Sequence, residues 1–384
     1  MHPVAISSTG NIEQDIAKAL DEIGGLDTVI SKGDIVLCKP NVQGSFSPGS
    51  GIITDAKVVH VIVKMVKKLG ATPVIGESSV YGRVTEECLH ASGMHEVAKK
   101  ESVKIVDFDK DEVIRVPITK GTVLKEVRTV KTVVESDVII DIPVMKTHVA
   151  TGVTLSLKNM KGVLPRREKA KVHFAGLEEG IADLNATFTP DIVIADGIVG
   201  LEGLGPSTGT PVEMGLIVAG FEPVTVDSVC TEIMGMDPNE IKHIKHAHSK
   251  GLGEIDIDNI ELYGEPIETV KRTFKEPWLQ LKEFKGIELI NGNACSGCLT
   301  ELLRNLEYAK IDGRIDDLKN SIFYIGPDVQ VKIEETRAGA INSCCRNIFV
   351  GNCCKEFAEF GIFIEGCPPP GYVIREKLDE ARKS

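Results

Sequence analysis

The sequence predicts an α/β fold in two parts: a mainly parallel sheet with flanking helices, then a smaller C-terminal α/β unit rich in cysteine. Three observations predict it. Short apolar runs rich in Val and Ile alternate with helix-period stretches through residues 1–265, as expected of strands buried on both faces between crossover helices. Composition shifts over residues 266–286 to a charged amphipathic stretch broken by Pro277. Seven of the ten cysteines then fall in the last quarter of the 384-residue chain.

The elements follow in order. Asn11–Ile23 reads as a helix with Ile12, Ile16, Leu20 and Ile23 on one face. Asp34–Cys38 is a strand, and Lys39-Pro40-Asn41 directly follows it. Pro48–Gly51 leads to Thr54-Asp55, just ahead of a second helical stripe of Val58, Ile62, Met65, Val66 and Leu69 within Ala56–Leu69. Thr54 or Asp55 is expected to cap that helix, and the Gly-rich approach is either an anion cradle or a plain turn. Thr72–Ile75 is a strand followed by Gly76-Glu77-Ser78-Ser79. Val103–Phe108, Asp137–Ile142, Asp191–Ala195 and Leu216–Ala219 complete the expected strands. Polar residues after several parallel strands converge on one sheet edge, the expected ligand crevice. Lys39, Asn41, Thr54, Asp55, Glu77 and Ser78 are therefore ligand-binding candidates.

Val144–Gly162 is the richest segment, with Lys146, His148, Lys158, Asn159 and Lys161 interleaved with Thr and Gly. Cations at that density in an otherwise acidic chain predict an anion-binding surface. Downstream, Asp196-Gly197 is expected to end a strand, and Glu202–Pro206 to form a Gly-rich loop. Asp227 is either a helix cap or a site residue. His243, His246 and His248 share a helix ending at Gly251; without an HExxH pattern they read as an ordinary helix face.

Residues 266–286 are expected to link the two domains, with Trp278 and Phe284 packing them down. The C-terminal domain, 287–384, opens with a strand, Ile287–Ile290. The CxxC pair Cys295/Cys298 follows, then a helix, Leu299–Tyr308, striped by Leu299, Leu302, Leu303 and Leu306. A second strand, Ile322–Ile325, ends at Gly326-Pro327. That order puts Cys295 and Cys298 at the carboxyl end of a strand, where open α/β sheets build sites.

The cysteines are NACSGC (Cys295, Cys298), NSCCRN (Cys344, Cys345), GNCCKE (Cys353, Cys354) and GCPPPG (Cys367). The N-terminal MHPVAISSTG has no basic start followed by an apolar run, so a cytoplasmic, reducing location is expected, and there clustered thiols are metal ligands more often than disulfides. One CxxC rather than two favours iron–sulfur over zinc, as does a late Cys followed by Pro. Cys38, Cys88 and Cys230, beside apolar runs, are expected to be packing residues. A net charge of −12, one Trp and five Tyr argue against nucleic acid as a partner. No run of about 18 apolar residues suggests a membrane span.

Several segments resemble the DUF362 family, a domain of uncharacterised function. They are KPN (39–41), TD (54–55), GES (76–78), PVMKTH (143–148), TLSLKNMKG (154–162), IADLN (181–185), DGIVGLEGLGPSTG (196–209) and PVTVDSV (223–229). That family is often joined to a ferredoxin-type module, but the C-x₂-C-x₂-C-x₃-C-P run of such modules is missing here. The tail is instead similar to the proximal-cluster domain of nickel–iron hydrogenase small subunits and related complex I subunits, where CxGC, GxC and GCPP follow in order. The resemblance implies that Cys295, Cys298, Cys353 and Cys367 ligate one [4Fe-4S] cluster. Cys344, Cys345 and Cys354 fall outside the pattern and could replace Cys353, hold a second centre or act as redox thiols.

These readings together predict an iron–sulfur redox protein suited to anaerobic metabolism. Its cluster would take an electron from a ferredoxin-like carrier or redox partner and pass it to a substrate or partner bound by the large domain. Lys146, His148, Lys158 and Asn159 would orient an anionic small molecule, with Lys161 a further ligand-binding candidate and Lys146, His148 and Asp227 as catalytic candidates. Two alternatives stay open. A cluster with an open iron could act as a Lewis acid in a hydro-lyase or isomerase with His148 or Asp227 as base; or the protein could carry clusters to another enzyme.

Overall fold

The computed structural model describes residues 2–80, 82–277, 284–334, 341 and 345–383. Trp278 and Cys344, both singled out above, lie outside the described residues. The chain divides into two compact units. One comprises Met1–Thr147, Thr151–Glu202 and Thr210–Phe274; the other comprises His148–Ala150, Gly203–Gly209 and Lys275–Ser384.

The large unit is built on a ten-stranded sheet, the mixed but mostly parallel α/β architecture expected. Its strands are β1 (Pro3–Ser7), β2 (Ile35–Pro40), β3 (Thr72–Glu77) and β4 (Lys104–Asp107), with β5 (Val113–Pro117) and β6 (Glu126–Val130) forming a separate two-stranded ribbon. Then come β7 (Val138–Ile142), β8 (Val144–His148), β9 (Gly152–Val153), β10 (Ile192–Glu202), β11 (Thr210–Gly220) and β12 (Glu261–Gly264). The main path runs β12-β1-β11-β10-β7-β2-β3-β4, with β8 beside β10 and β9 beside β8. β11 is antiparallel to both β1 and β10, while the pairs along β10-β7-β2-β3-β4 are all parallel.

The central strands are apolar on both faces because each face carries a core. Val36, Cys38, Val138 and Ile140 point to one side, against Ile16, Leu20, Val58, Ile62 and Val66 of the helices Ile12–Glu22 and Ala56–Lys68. Leu37 and Ile139, one residue out of phase, join Phe108, Met160 and Leu184 on the other. Cys38 and Cys88 are buried in the first core and Cys230 in a third that also holds Val193, Val218 and Val226.

Two expectations are corrected. Asp196-Gly197 does not end a strand. The chain passes through an irregularity between Gly197 and Val199, and β10 continues to Glu202 paired with β11. A glycine that reads as a stop is here the mark of a bulge. The stretch 266–286 is also not all linker, since Ile267 and Phe274 are buried in the large unit's core.

The small unit carries a four-stranded parallel sheet in sequential order: β13 (Ile287–Asn291), β14 (Ser321–Ile325), β15 (Arg346–Val350) and β16 (Ile362–Ile364). Side chains alternate between two cores. Phe323, Ile325, Ile348, Val350 and Ile364 face the helices Ser296–Ile311 and Gly371–Lys383 through Leu299, Leu302, Leu303, Leu306, Ile374 and Leu378. Ile322, Tyr324 and Phe349 face the other way, against Val329, Ile333, Cys354 and Phe357. Val149 and Leu204 belong to the first of these cores, which explains why two short excursions of the N-terminal sequence group with this unit.

Candidate functional site

In the large unit, β2 and β7 are neighbours, yet the chain leaves β2 toward β3 and β4 and leaves β7 toward β8 and β10. Open α/β sheets place ligands beyond the carboxyl ends of strands at such a switch point. Lys39 near the end of β2 is in register with Asp141 of β7, and Glu77 ends β3. The side chains there form one buried network. Lys39 Nζ meets Glu77 Oε2 at 2.9 Å. Lys146 Nζ, brought by β8, donates to Asn41 Oδ1 at 2.7 Å and to the Ile52 carbonyl at 2.6 Å. Asn41 Nδ2 donates to Asn159 Oδ1 at 2.8 Å, and Asn159 Nδ2 to Asp141 Oδ1 at 2.7 Å. Thr54 Oγ1 accepts the Asn41 N–H at 2.8 Å and donates to the Ile142 carbonyl at 2.7 Å. Ser78 adjoins the network through its N–H, which donates to Glu77 Oε1 at 2.8 Å. Gly162 closes it: a Cβ there would lie 2.0 Å from Glu77 Oε1 and 2.6 Å from Lys39 Nζ.

Electrostatics follow from burial. Desolvation holds the Lys146 amine well below the ordinary lysine range, and Lys158 and Lys39 add repulsion. Burial pushes Asp141 up to about 7 against the pull of Lys39. Lys158 is brought down to about 8 by desolvation, with Glu178 opposing. A low-pKa amine and a carboxyl raised toward neutrality are thus held at opposite ends of a chain of two asparagine amides, the perturbed pair that marks a candidate site. Lys146, predicted to face an anion, and Lys39, a ligand-binding candidate, are both buried and engaged by protein groups.

The remaining candidates also have partners outside this network. Asp55 caps the helix Ala56–Lys68 by accepting the Lys57 N–H. Its own N–H donates to Asp196 Oδ2 at 2.7 Å. Lys161 Nζ lies 2.8 Å from His173 Nε2. His148 Nδ1 accepts the Ala150 N–H at 3.0 Å within the small unit. Asp227 is buried inside the helix Pro223–Ile233, and its two oxygens accept the N–H groups of Ser156 at 2.7 Å and Leu157 at 2.9 Å. Its carboxylate is occupied by backbone, capping the helix Leu155–Asn159 from outside. Asp141 and Gly162 were not singled out from sequence as site residues; a carboxylate inside the apolar run VIIDIP was the available signal for the first.

In the small unit, three strand ends carry the cysteines. Cys295 follows β13 and precedes the helix Ser296–Ile311, whose first turn holds Cys298; Cys353 follows β15 and Cys367 follows β16. Cys298 is 5% exposed, Cys295 half-buried, and Cys353 and Cys367 exposed. The four are close enough to perturb one another. Cys298 is raised by a hydrogen bond with Cys295, by burial, and by the charges of Cys295, Cys367 and Cys353. Cys353 and Cys367 are raised by burial and then by Cys295. The two outer ligand loops are tied together: Asn352 N–H donates to the Gly366 carbonyl, and Gly366 N–H to Asn352 Oδ1, both at 2.9 Å. Gly351, at φ +91°, lets the backbone pass Cys298, since a Cβ there would sit 3.2 Å from its sulfur.

The other described cysteines of this unit are elsewhere. Cys354, next in sequence to Cys353, is buried in the opposite core with its thiol 3.6 Å from the Tyr324 and Gly326 carbonyls. Cys345 packs at the edge of that same core. Four soft donors that repel one another as thiolates suit a cationic iron–sulfur core.

Comparison with known proteins adds three findings. A family model described as a domain of unknown function, DUF362, matches residues 36–232. The chain is 28% identical over 274 residues to the thylakoid-associated protein sll1697 of Synechocystis sp., covering 70% of this chain and 84% of the relative. It superposes on the lactate racemase apoprotein of Thermoanaerobacterium thermosaccharolyticum with a TM-score of 0.44 at 12% identity, covering 100% of this chain and 90% of that one, a likeness too weak to carry chemistry. No helix among the described residues is long and apolar enough to cross a membrane.

Proposed function

This chain belongs to the DUF362 family, and on that premise we propose that it is an iron–sulfur redox protein in which Cys295, Cys298, Cys353 and Cys367 hold a [4Fe-4S] cluster. The observation that carries this reading is the mutual proximity of these four thiols at the carboxyl ends of β13, β15 and β16. Such a cluster, when bound, supplies one-electron transfer at a potential tuned by burial and hydrogen bonding. Cys298 would anchor the buried side, with Gly351 giving its sulfur room. Exposed Cys353 and Cys367 would turn the other side to solvent, where a ferredoxin-like carrier or redox partner could approach. The large unit's network around Lys146 and Asp141 would serve the electron acceptor, holding or moving a proton when it is reduced. The reducing compartment needed for free thiols is the cytoplasm.

Four thiolates leave no iron of a cubane without a protein ligand, which favours electron transfer over Lewis-acid catalysis. The test is iron and acid-labile sulfide per chain after anaerobic purification, with EPR before and after dithionite. About four of each, with a reduced S = 1/2 signal that is lost in Cys295→Ala or Cys367→Ala, is the expected result. Zinc in place of iron, or titratable disulfides with no metal, would sink the reading.

A further inference from the structure

A second constellation of metal-ligating side chains lies in the large unit. Glu86 and His90 stand one turn apart on the helix Thr85–Ala91, so they share a face. The chain reverses at Gly93, φ +80°, and the helix Met94–Glu101 begins at once, placing His95 in its first turn. His95 Nε2 lies 2.9 Å and His90 Nε2 3.6 Å from the same oxygen, Glu86 Oε1. The imidazole rings stack at 3.7 Å between centroids, 11° from parallel. One ligand atom from each of the three residues falls within 4.8 Å of the others, within a few tenths of an ångström of the roughly 4.4 Å that one ion with bonds of about 2.2 Å can span.

We propose that Glu86, His90 and His95 form a binding site for a divalent transition metal of the zinc class. Two borderline imidazole donors beside one hard carboxylate take zinc, cobalt or nickel in preference to calcium or magnesium. Three protein ligands leave a position for water. The ion would staple two short helices across the turn at Ser92-Gly93. Lys110 is the built-in competitor: its Nζ lies 3.0 Å from Glu86 Oε2 and 3.4 Å from Asp107 Oδ2, drawing charge from the carboxylate that would bind the ion.

The probe is Co²⁺, titrated into the anaerobically purified full chain. Cobalt at this site gives visible d–d bands without the near-ultraviolet thiolate charge-transfer band that cobalt on the cysteines would add, so the result does not depend on the cluster reading. The expected outcome is saturation at about one such ion per chain, abolished in His90→Ala and in His95→Ala, with circular dichroism unchanged. Lys110→Met should bind Co²⁺ several-fold more tightly. Cobalt bound only with thiolate charge transfer, or d–d bands that persist in both histidine variants, would overturn the proposal. So would equal affinity in Lys110→Met and the unaltered chain.

Discussion

Asp196 sits at the bulge of β10 and accepts two N–H groups, from Asp55 at 2.7 Å and Ile198 at 3.0 Å. Burial nevertheless outweighs them and pushes its carboxyl up to about 6. Between pH 4 and that value the folded protein keeps a proton that the unfolded chain has released. Stability contributed here is present at low pH, falls as pH rises through that window, and is level above it. The loss is on the order of 2–3 kcal/mol. Asp141, raised to about 7, extends the decline toward neutrality. Asp196→Asn, which does not titrate, should make the decline between pH 4 and 6 shallower while the Asp141 contribution, which runs from about pH 4 to 7, persists, as read from urea midpoints. An unchanged slope there would refute the assignment. At this scale the sequence was most legible where polar residues interrupt apolar strand ends: Lys39, Asn41, Glu77, Lys146 and Asn159 all enter one network. What could not be read was how their charges are used. Lys39 is matched to Glu77 and Lys146 to Asn41 by residues 38 and 105 positions away, and no local pattern encodes such pairings.

The helix Leu155–Asn159 shows how one element depends on another. Its N-cap residue, Thr154, makes no side-chain capping bond, so its first amides need partners from outside. Asp227 supplies them from the middle of the helix Pro223–Ile233. Asp227→Ala would leave two buried N–H groups unpaired and should cost roughly 2–4 kcal/mol, while Asp227→Asn, which keeps one acceptor oxygen, should cost less. Urea denaturation of both variants is the check, and equal costs would show that packing rather than capping holds the element. The same dependence limits what periodicity reveals. Central strands such as β2, β3 and β7 are apolar on both faces and were readable as runs. The five-residue strands of the ribbon β5/β6, the short edge strand β12 and the three-residue β16 are too short, and too interrupted by charged residues in the first two, to stand out. β15, in RNIFV, was hidden by the cysteines around it. The helix after the CxxC pair was legible because Leu299, Leu302, Leu303 and Leu306 form an unbroken stripe.

At the scale of the whole molecule, the division into two units with separate cores has thermodynamic consequences. The sequence placed the boundary near residues 265–287, but it could not show that His148–Ala150 and Gly203–Gly209 group with the C-terminal unit, since those contacts are remote in sequence. Two separately packed units predict departure from two-state unfolding. In the small unit the thiols divide by sheet face, with Cys295 and Cys298 on one core and Cys354 in the other. Cys354→Ala should therefore retain full iron and sulfide while losing about 1–2 kcal/mol to the cavity; loss of iron in this variant would place Cys354 in the ligand set. Cluster ligation, by contrast, ties together loops after three strands, and binding energy confined to the folded state becomes folding energy. Removing iron with a chelator under anaerobic conditions should lower the small unit's thermal transition and leave that of the large unit in place. Calorimetry of the full chain, with Tyr324 and its stacked neighbour Phe349 making near-ultraviolet circular dichroism a reporter of the small unit, separates the two. A single transition that shifts as a whole would mean that the units unfold together and that the cluster stabilises both.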